Sequence, residues 1–304
     1  MDQRSFEIEV AEPFRLDLTA WVLGRRAHNL VDHWDAGRYR RTLNIAGRPL
    51  ALTLTQRRVA GPAVLSVAMH GPVVTHDEAA EAEARRVLDW VLGLSVDLSG
   101  FYELAQRDER LRALAERFRG MRPTRFPTVF EAVVNAVACQ QLSLSVGVHL
   151  LNRLAQRYGV DEGCAGNGFP TPEQLAVSRV ADLRGLGFST AKARVLVEIA
   201  RRVSEAELDL ESLVGLDDDE ASRQLLGLAG IGRWSTEYVL LRGLGRLHVL
   251  PGDDVGARNN LQRRFSPGAP LDYDAVAELS RSWWPYGGLV YFHLLLDSLV
   301  DDVK

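Results

Sequence analysis

Apolar residues in the first quarter of the chain come in short runs, several of which alternate with polar residues. The runs are rich in β-branched residues and are separated by Gly and Pro, which is typical of strands joined by turns. The predicted strands are residues 6–10, 39–45, 50–55 and 63–69. Residues 16–23 and 76–94 instead carry apolar positions at helical spacing. We therefore expect a small antiparallel sheet with helices on one side, an α+β unit.

Beyond residue 96 the apolar positions follow helical spacing only, and glycines such as Gly159 and Gly187 mark the junctions. Helices are predicted at residues 97–118, 126–137, 141–157, 172–178, 190–203, 218–227, 234–243, 253–264, 272–282 and 286–300. The pattern thus predicts two domains, an α+β domain over residues 1–96 and an all-α domain over residues 97–304.

Composition narrows the class of protein. The 304 residues are 46% hydrophobic and 25% charged, as in ordinary globular proteins. The longest apolar runs are too short to span a bilayer, and the first residues form no apolar leader, so we expect a cytoplasmic protein with no membrane partner. Two cysteines, Cys139 and Cys164, are too few for a disulfide framework or a four-thiolate iron–sulfur cluster, and both are interpreted as structural. The histidines show no metal-ligand spacing, so no metal held by side chains is expected.

The net charge of −4 argues against a general nucleic-acid coat protein, which is usually basic. It does not exclude a DNA enzyme, because binding depends on a local basic face. Many of the acidic residues are concentrated within residues 205–220, which are interpreted as a solvated face.

Residues 225–238 are the most informative segment. One predicted helix ends, a turn containing Gly230, Ile231 and Gly232 follows, and a new helix begins near Arg233. Glycines permit positive φ and close approach by another backbone. The first amides of the second helix lack partners within the helix and suit a phosphate. The segment therefore indicates a hairpin that contacts DNA through its backbone without reading sequence, although a simple corner between helices fits the same pattern.

Two adjacent carboxylates, Asp253 and Asp254, follow a Pro-Gly pair and precede the next predicted helix. The helix dipole and free amides keep a carboxylate at such a position ionised. Considered alone, either residue is equally well an ordinary N-cap. The chemical interpretation depends on the hairpin that precedes the pair.

Together, the hairpin and the aspartates resemble the signature of the helix-hairpin-helix DNA glycosylase superfamily, and within it the bacterial 3-methyladenine DNA glycosylase II group. The resemblance covers nearly the whole chain and includes residues 126–143, 185–193 and 283–286. It implies that the N-terminal α+β part is the extra sheet domain of that group.

The resemblance assigns a role to each candidate residue. It makes Asp254, which precedes Val255, the catalytic carboxylate and Asp253 its helper. The base pocket would consist of Trp234, Tyr238 and Tyr286, the DNA wedge of Gln141 or its competitor Leu142, and the backbone hairpin of Gly230, Ile231, Gly232 and Arg233. Each set also has a structural interpretation: the aromatic residues as core, and the residues around Gln141 as a polar helix start.

Trp234 stands where bifunctional relatives have a lysine that forms a Schiff base. An indole supplies no amine nucleophile, so a monofunctional enzyme is expected. An alkylated base that carries a positive charge is already a good leaving group. A carboxylate would stabilise the cationic sugar that forms when the bond breaks, and aromatic rings would attract the cationic base.

The sequence thus predicts a monofunctional DNA glycosylase that removes bases of the 3-methyladenine and 7-methylguanine type in base excision repair. Two alternatives remain: a glycosylase for oxidised or deaminated purines, and a non-catalytic DNA-binding module. The expected partner is duplex DNA with a damaged base, without an obligate protein partner. No cofactor is expected, although the resemblance allows a monovalent cation at the hairpin backbone when DNA is bound.

Overall fold

The computed structural model describes residues 2–57, 62–71, 77–160, 166–265 and 268–301. Its N-terminal part contains one five-stranded antiparallel sheet with the strand order β1-β5-β4-β3-β2. The strands are β1 (Asp2–Val10), β2 (His33–Asp35), β3 (Arg38–Ile45), β4 (Arg48–Arg57) and β5 (Ala63–Gly71). The four predicted strands are present, whereas β2 is only three residues long and leaves no alternating pattern in the sequence.

Two helices belong to this part, α1 (Leu16–Gly24) and α2 (Glu78–Leu92). Asp77 caps α2 by accepting from the amide of Ala80, and Gly93 ends it with a φ of 59°. Buried side chains of α2 and of the sheet share one apolar core. The prediction that a helix begins at His76 concerns a residue outside the described ranges.

Helices make up the rest of the described chain, which confirms the predicted α+β followed by all-α fold class. They are α3 (Ser99–Ala105), α4 (Glu109–Arg117), α5 (Val129–Cys139), α6 (Leu144–Tyr158), α7 (Pro172–Ala176), α8 (Val180–Gly185), α9 (Thr190–Ser204), α10 (Asp218–Leu226), α11 (Arg233–Arg242), α12 (Val255–Phe265), α13 (Tyr273–Arg281) and α14 (Gly287–Asp301), with a 3-10 helix at Glu211–Gly215.

The helix predicted over residues 97–118 is wrong in its extent. It consists of α3 and α4, because the Asp108 side chain accepts from the amides of Arg110 and Leu111 and starts a new helix. Helix α8 and the 3-10 helix were not predicted.

The helical part contains two apolar cores. One is formed mainly by α5, α6, α9, α10 and α11, and the other by α3, α4, α12, α13 and α14. Helix α1 contributes Val22 to the second core and contacts α14. The N-terminal part therefore packs directly against the helices, at the side where the two cores meet.

A buried ion network joins the sheet to α5. The guanidinium of Arg41 on β3 donates to Asp32 and to Glu131, each over 2.6 Å, and all three residues are almost fully buried. Removing one partner from a buried pair of this kind costs about 3–5 kcal/mol, because a charge is left without compensation. The network fixes the loop that follows α1 relative to the helices.

In the described ranges we find no helix that combines the length and the apolar character needed to cross a bilayer.

Candidate active site

A deep cleft of about 1150 Å³ lies between the two helical cores. Its exposed lining residues, such as Gln141, Leu142 and Val255, mark the mouth, and its buried ones, such as Tyr238 and Tyr291, mark the inner end. The walls come from the loop after α1, the α5–α6 loop, the start of α9, and helices α11, α12 and α14. Side chains from widely separated parts of the sequence thus converge on one space.

Asp254 lies on the wall of this cleft, immediately before α12. Its Oδ1 accepts from the amide of Ala257 over 2.8 Å, so this oxygen caps the helix. Its Oδ2 accepts from the indole N–H of Trp234 over 3.0 Å, and the hydroxyl of Tyr291 lies 3.4 Å away. Asp254 is therefore the N-cap of α12 through one oxygen, and its other oxygen lies against Trp234 and Tyr291, while its catalytic role stays a prediction.

Asp253 has different partners. Its carboxylate binds the guanidinium of Arg233 over 2.6 Å and that of Arg258, and the hydrogen bond from Arg233 lowers the pKa of Asp253. The ring of Tyr273 packs under Arg233, with 3.6 Å between the guanidinium carbon and the ring centroid. Asp253 thus ties the start of α12 to the start of α11 and holds Arg233, a predicted hairpin residue, in an ion pair.

The loop before Asp253 is fastened to α11 as well. Glu237 accepts from the amide of Gly252 over 2.9 Å and from the hydroxyl of Tyr273 over 2.7 Å. Burial raises the pKa of Glu237, and burial together with the Glu237 hydrogen bond raises the pKa of Tyr273 to about 12. These contacts fix the direction in which Asp254 enters the cleft.

Helices α10 and α11 form the predicted hairpin. Gly230 has a φ of 82°, and a Cβ there would lie 2.5 Å from Cγ2 of Val195, so both backbone and packing demand glycine. Gly232 precedes α11, and a Cβ added to it would meet no atom within 4 Å. Ile231 is buried between them. The open side of Gly232 adjoins the first amides of α11, where a phosphate has access.

The side chain of Gln140 braces the hairpin by donating to the carbonyl oxygen of Gly230 and to the hydroxyl of Ser235. The hairpin carbonyls of Leu228 and Gly230 already accept one hydrogen bond each. A carbonyl oxygen has a second lone pair, so the turn fits a monovalent cation, whose binding stays a prediction. Among the described residues no cluster of His, Cys, Asp or Glu has the geometry of a metal site.

Trp234 and Tyr238 both line the cleft and stack on each other, with ring centroids 5.3 Å apart and an interplanar angle of 28°. Trp234 is half-buried, whereas Tyr238 is only 4% exposed. Burial raises the pKa of Tyr238. Trp234 is therefore the more accessible of the two rings for a base that enters the cleft.

Tyr286 is not part of this wall, so its assignment to the base pocket is wrong. Its ring packs on Phe101 of α3, 6.1 Å between centroids, within the second core. Tyr286 precedes α14, whose inner face reaches the cleft further along, at Tyr291, Leu294, Leu295 and Ser298. The i, i+3, i+4, i+7 spacing of these four residues places them on one face of the helix. This spacing in the sequence could have identified the face that lines the cleft.

Gln141 and Leu142 lie at the mouth of the cleft, between α5 and α6, and both are exposed. Gln141 has a φ of 54°, a conformation that costs a non-glycine residue energy and that is frequent at functional sites. Nζ of Lys192 donates to the carbonyl oxygens of Ala138 and Gln140, which fixes the C-terminal end of α5 beside this loop. The wedge assignment stays a prediction for both residues.

Two buried arginines at the inner end, Arg25 and Arg242, were not identified from the sequence. Arg25 donates to the hydroxyl of Tyr238 over 3.0 Å and to the side-chain oxygen of Asn135 over 2.7 Å. Cys139 also lines this end as a free thiol, and burial raises its pKa. The interpretation of Cys164 as structural concerns a residue outside the described ranges.

The hairpin and Asp254 open on the same cleft, which is the arrangement expected of a helix-hairpin-helix DNA repair enzyme. The chain belongs to the HhH-GPD superfamily of base excision DNA repair proteins, whose pattern matches residues 134–286. The resemblance inferred from the sequence is thereby confirmed.

Individual relatives agree with this membership. The chain is similar to the DNA-3-methyladenine glycosylase of Bacillus subtilis (strain 168), with 29% identity over 219 residues, which cover 70% of this chain and 71% of that protein. Its structure is similar to that of a 3-methyladenine DNA glycosylase from Archaeoglobus fulgidus, with a TM-score of 0.84 and 29% identity over 96% of this chain and 97% of the other. It is also similar to the Schizosaccharomyces pombe 3-methyladenine DNA glycosylase solved with abasic DNA, with a TM-score of 0.54 and 28% identity over 63% of this chain and 92% of the other.

Proposed function

We propose that this protein is a monofunctional DNA glycosylase that removes alkylated bases of the 3-methyladenine and 7-methylguanine type from duplex DNA. The observation that carries the proposal is the position of Asp254, a carboxylate on the wall of the cleft with one oxygen bonded to Trp234. The similar proteins from B. subtilis, A. fulgidus and S. pombe are all named as 3-methyladenine glycosylases, which supports the substrate class.

The reaction needs the damaged nucleotide outside the helix, because its glycosidic carbon is inaccessible within the stack. The base would enter the cleft beside Trp234, and Gln141 or Leu142 at the mouth would fill the gap that it leaves. Stacking lost in the duplex costs a few kcal/mol, which a wedge side chain offsets in part.

Bond cleavage then leaves both electrons of the glycosidic bond on the base and a positive charge on the sugar. An alkylated base that was cationic departs neutral, so it needs little proton donation. Asp254 would stabilise the oxocarbenium sugar through its negative charge and orient the water that adds to it. Trp234 and the cap to Ala257 keep the carboxylate in place, so no reorganisation is needed during the reaction.

Contacts with the duplex would be made by the hairpin and by basic residues around the mouth. The exposed amides at the start of α11 suit one phosphate. Arg26 and Lys192 line the cleft and add positive charge, which a protein with a net charge of −4 must concentrate locally. Such contacts are independent of base sequence and sensitive to salt.

A lyase step requires an amine that attacks the sugar carbon. Trp234 offers none at the position expected from the resemblance. Lys192 is an amine on the cleft wall, but its ammonium group donates to two carbonyl oxygens at the end of α5. Burial lowers the pKa of Lys192, so the support for a hydrolytic enzyme without lyase activity is the lack of an amine at Trp234.

The proposal is tested by incubating the purified protein with methylated, oxidised and deaminated duplexes and identifying each released base by mass spectrometry. We expect 3-methyladenine and 7-methylguanine to be released. Release of oxidised purines alone would refute the substrate class, and tight duplex binding without release of any base would refute the enzymatic function.

A further inference from the structure

The inner end of the cleft contains two guanidinium groups that the reaction described above does not use. Arg25 follows α1 and is 3% exposed, and Arg242 is the last residue of α11 and is 0% exposed. Both line the cleft. The guanidinium of Arg242 packs against the rings of Phe126 and Phe292, at 4.8 and 5.5 Å from their centroids.

Neither arginine is neutralised by a direct ion pair with a carboxylate in the described part of the chain. Arg25 donates to the neutral acceptors Tyr238 and Asn135 and also interacts with the thiol of Cys139, and Arg242 donates to the carbonyl oxygen of Val22. The Nε atoms of both arginines and Nη1 of Arg242 have no hydrogen-bond acceptor among the described residues.

Two buried acids, Asp32 and Glu131, interact with Arg25 only through their charge, because the hydrogen bonds of both carboxylates go to other residues. Asp32 accepts from Arg41 and from the hydroxyl of Tyr39, and Glu131 accepts from Arg41. Burying an unpaired charge is costly, so two such charges at the end of a ligand-sized cleft need an explanation.

Arg25 is held in place by the N-terminal part of the protein. It adopts a φ of 59° at the end of α1, with its amide bonded to the carbonyl oxygen of Trp21. Asn29 donates to the carbonyl oxygen of Gly24 and accepts from the amides of Val31 and Asp32. Because Asp32 also binds Arg41, the sheet fixes the loop that presents Arg25 to the cleft.

We propose that Arg25 and Arg242 form a donor site that selects, among alkylated bases, those presenting a carbonyl oxygen to the inner end of the cleft. The inference rests on the proposed function and deepens it. A guanidinium donates hydrogen bonds and accepts none. The C6 oxygen of a guanine accepts, whereas the C6 amino group of an adenine donates. An adenine would therefore bring a donor against donors, and 7-methylguanine is favoured over 3-methyladenine.

The test compares single-turnover release of 7-methylguanine and 3-methyladenine from matched duplexes by the wild-type protein and by Arg25→Met. Methionine retains a long apolar stem and removes the charge and all N–H donors. We expect the ratio of the two rates, 7-methylguanine over 3-methyladenine, to fall at least tenfold. The 3-methyladenine rate should fall less than the 7-methylguanine rate, and circular dichroism together with thermal unfolding reports whether the variant is folded.

Arg112→Met is the matched control. Arg112 is exposed on α4 and does not line the cleft, so the same substitution there should leave the ratio unchanged. Arg25→Lys is a second variant in case methionine prevents folding. Lysine lacks the planar fork that reaches both Tyr238 and Asn135, and we expect it to lower the ratio at least threefold.

An equal fall of both rates in a folded variant would overturn the inference, because Arg25 would then only support the cleft wall. An unchanged ratio in Arg25→Met, or in Arg25→Lys if only that variant folds, would overturn it too. If the wild-type protein releases neither methylated base, the proposed function fails, and the inference fails with it. If the wild-type protein releases both bases and the variant has the same ratio of the two rates, the inference is refuted and the proposed function stands.

Discussion

The indole N–H of Trp234 donates to Oδ2 of Asp254 over 3.0 Å. This contact joins the start of the hairpin's second helix to the start of α12, so the aromatic wall and the carboxylate are set relative to each other. A base stacked on Trp234 would therefore have its sugar close to Asp254. Under the proposed function, the hairpin would bind the DNA backbone and Trp234 would stack on the base, while Asp254 would stabilise the charge that develops on the sugar.

Asp254→Asn should abolish base release while leaving duplex binding intact. Asparagine can still cap α12, but it carries no negative charge to stabilise the oxocarbenium sugar. We expect the single-turnover rate to fall at least hundredfold, which corresponds to about 2.7 kcal/mol of transition-state stabilisation. Binding is measured on an undamaged duplex by fluorescence anisotropy. A residual rate within tenfold of wild type would show that Asp254 is not the catalytic carboxylate.

Asp253→Asn is the matched control, since the neighbouring carboxylate is engaged with Arg233 and Arg258. Its loss should weaken the link between α11 and α12 and reduce the rate less than the Asp254 substitution does. Equal losses would mean that the two positions cannot be assigned different roles.

The protein should show no lyase activity. Borohydride added during turnover traps a Schiff base as a covalent protein–DNA adduct, and we expect none with an alkylated duplex. The physical reason is that Trp234 has no amine and that the Lys192 ammonium is engaged with two carbonyl oxygens. If an adduct does form and disappears in Lys192→Met, the lysine is a nucleophile and the enzyme is bifunctional.

Local sequence patterns were sufficient for part of this site and insufficient for the rest. The turn at the hairpin glycines and the helix start at Asp254 follow from turn and cap chemistry, which acts between near neighbours, whereas the catalytic role of Asp254 was implied by the resemblance. Arg25 does not, because its contact with Tyr238 joins residues that lie 213 positions apart in the sequence. Tyr286 shows the opposite error: it is close in sequence to the cleft-lining face of α14, but its ring points to α3. The fold class was predictable because apolar residues repeat at different intervals in strands and in helices. The direction of a side chain at the start of a helix depends instead on how the helix packs against its neighbours.

Protein stability should fall between pH 6.5 and pH 4 through His293. This residue is buried beside Phe101 and Phe118, and its Nδ1 donates to the carbonyl oxygen of Leu289. Burial lowers the pKa of His293 from 6.5 to about 4. Between those values the unfolded chain binds a proton that the folded one does not, so the free energy of unfolding decreases as the pH falls. The loss should reach about 2 kcal/mol at pH 5.

Urea unfolding of the wild-type protein and of His293→Leu at pH 7.5 and pH 5 measures this contribution. Leucine is apolar and does not titrate. The variant should be less stable than wild type at pH 7.5, and the difference should shrink by about 2 kcal/mol at pH 5. A difference that is the same at both pH values would show that His293 does not titrate in this range.

The two glycines of the hairpin should respond differently to alanine. At Gly230 the φ of 82° and the contact of a new Cβ with Val195 both oppose alanine, so we expect stability to fall by about 1–3 kcal/mol. At Gly232 a Cβ meets no atom of the described protein within 4 Å, so Gly232→Ala should lower stability less than Gly230→Ala does, by about 0.5–1 kcal/mol for the poorer N-cap. The open space at Gly232 adjoins the first amides of α11, where we propose that a DNA phosphate binds. A methyl group there should weaken binding about tenfold by keeping the phosphate from the amides, a loss of about 1.4 kcal/mol. Because the contact is with the backbone, the loss should be the same on several undamaged duplexes of unrelated sequence.

Thermal unfolding measures the stability of the two variants, and fluorescence anisotropy titrations measure their affinity for duplex DNA. If Gly232→Ala binds duplex as tightly as wild type, the DNA backbone does not approach the hairpin at this point; if its loss is confined to one sequence, the hairpin reads bases rather than phosphates.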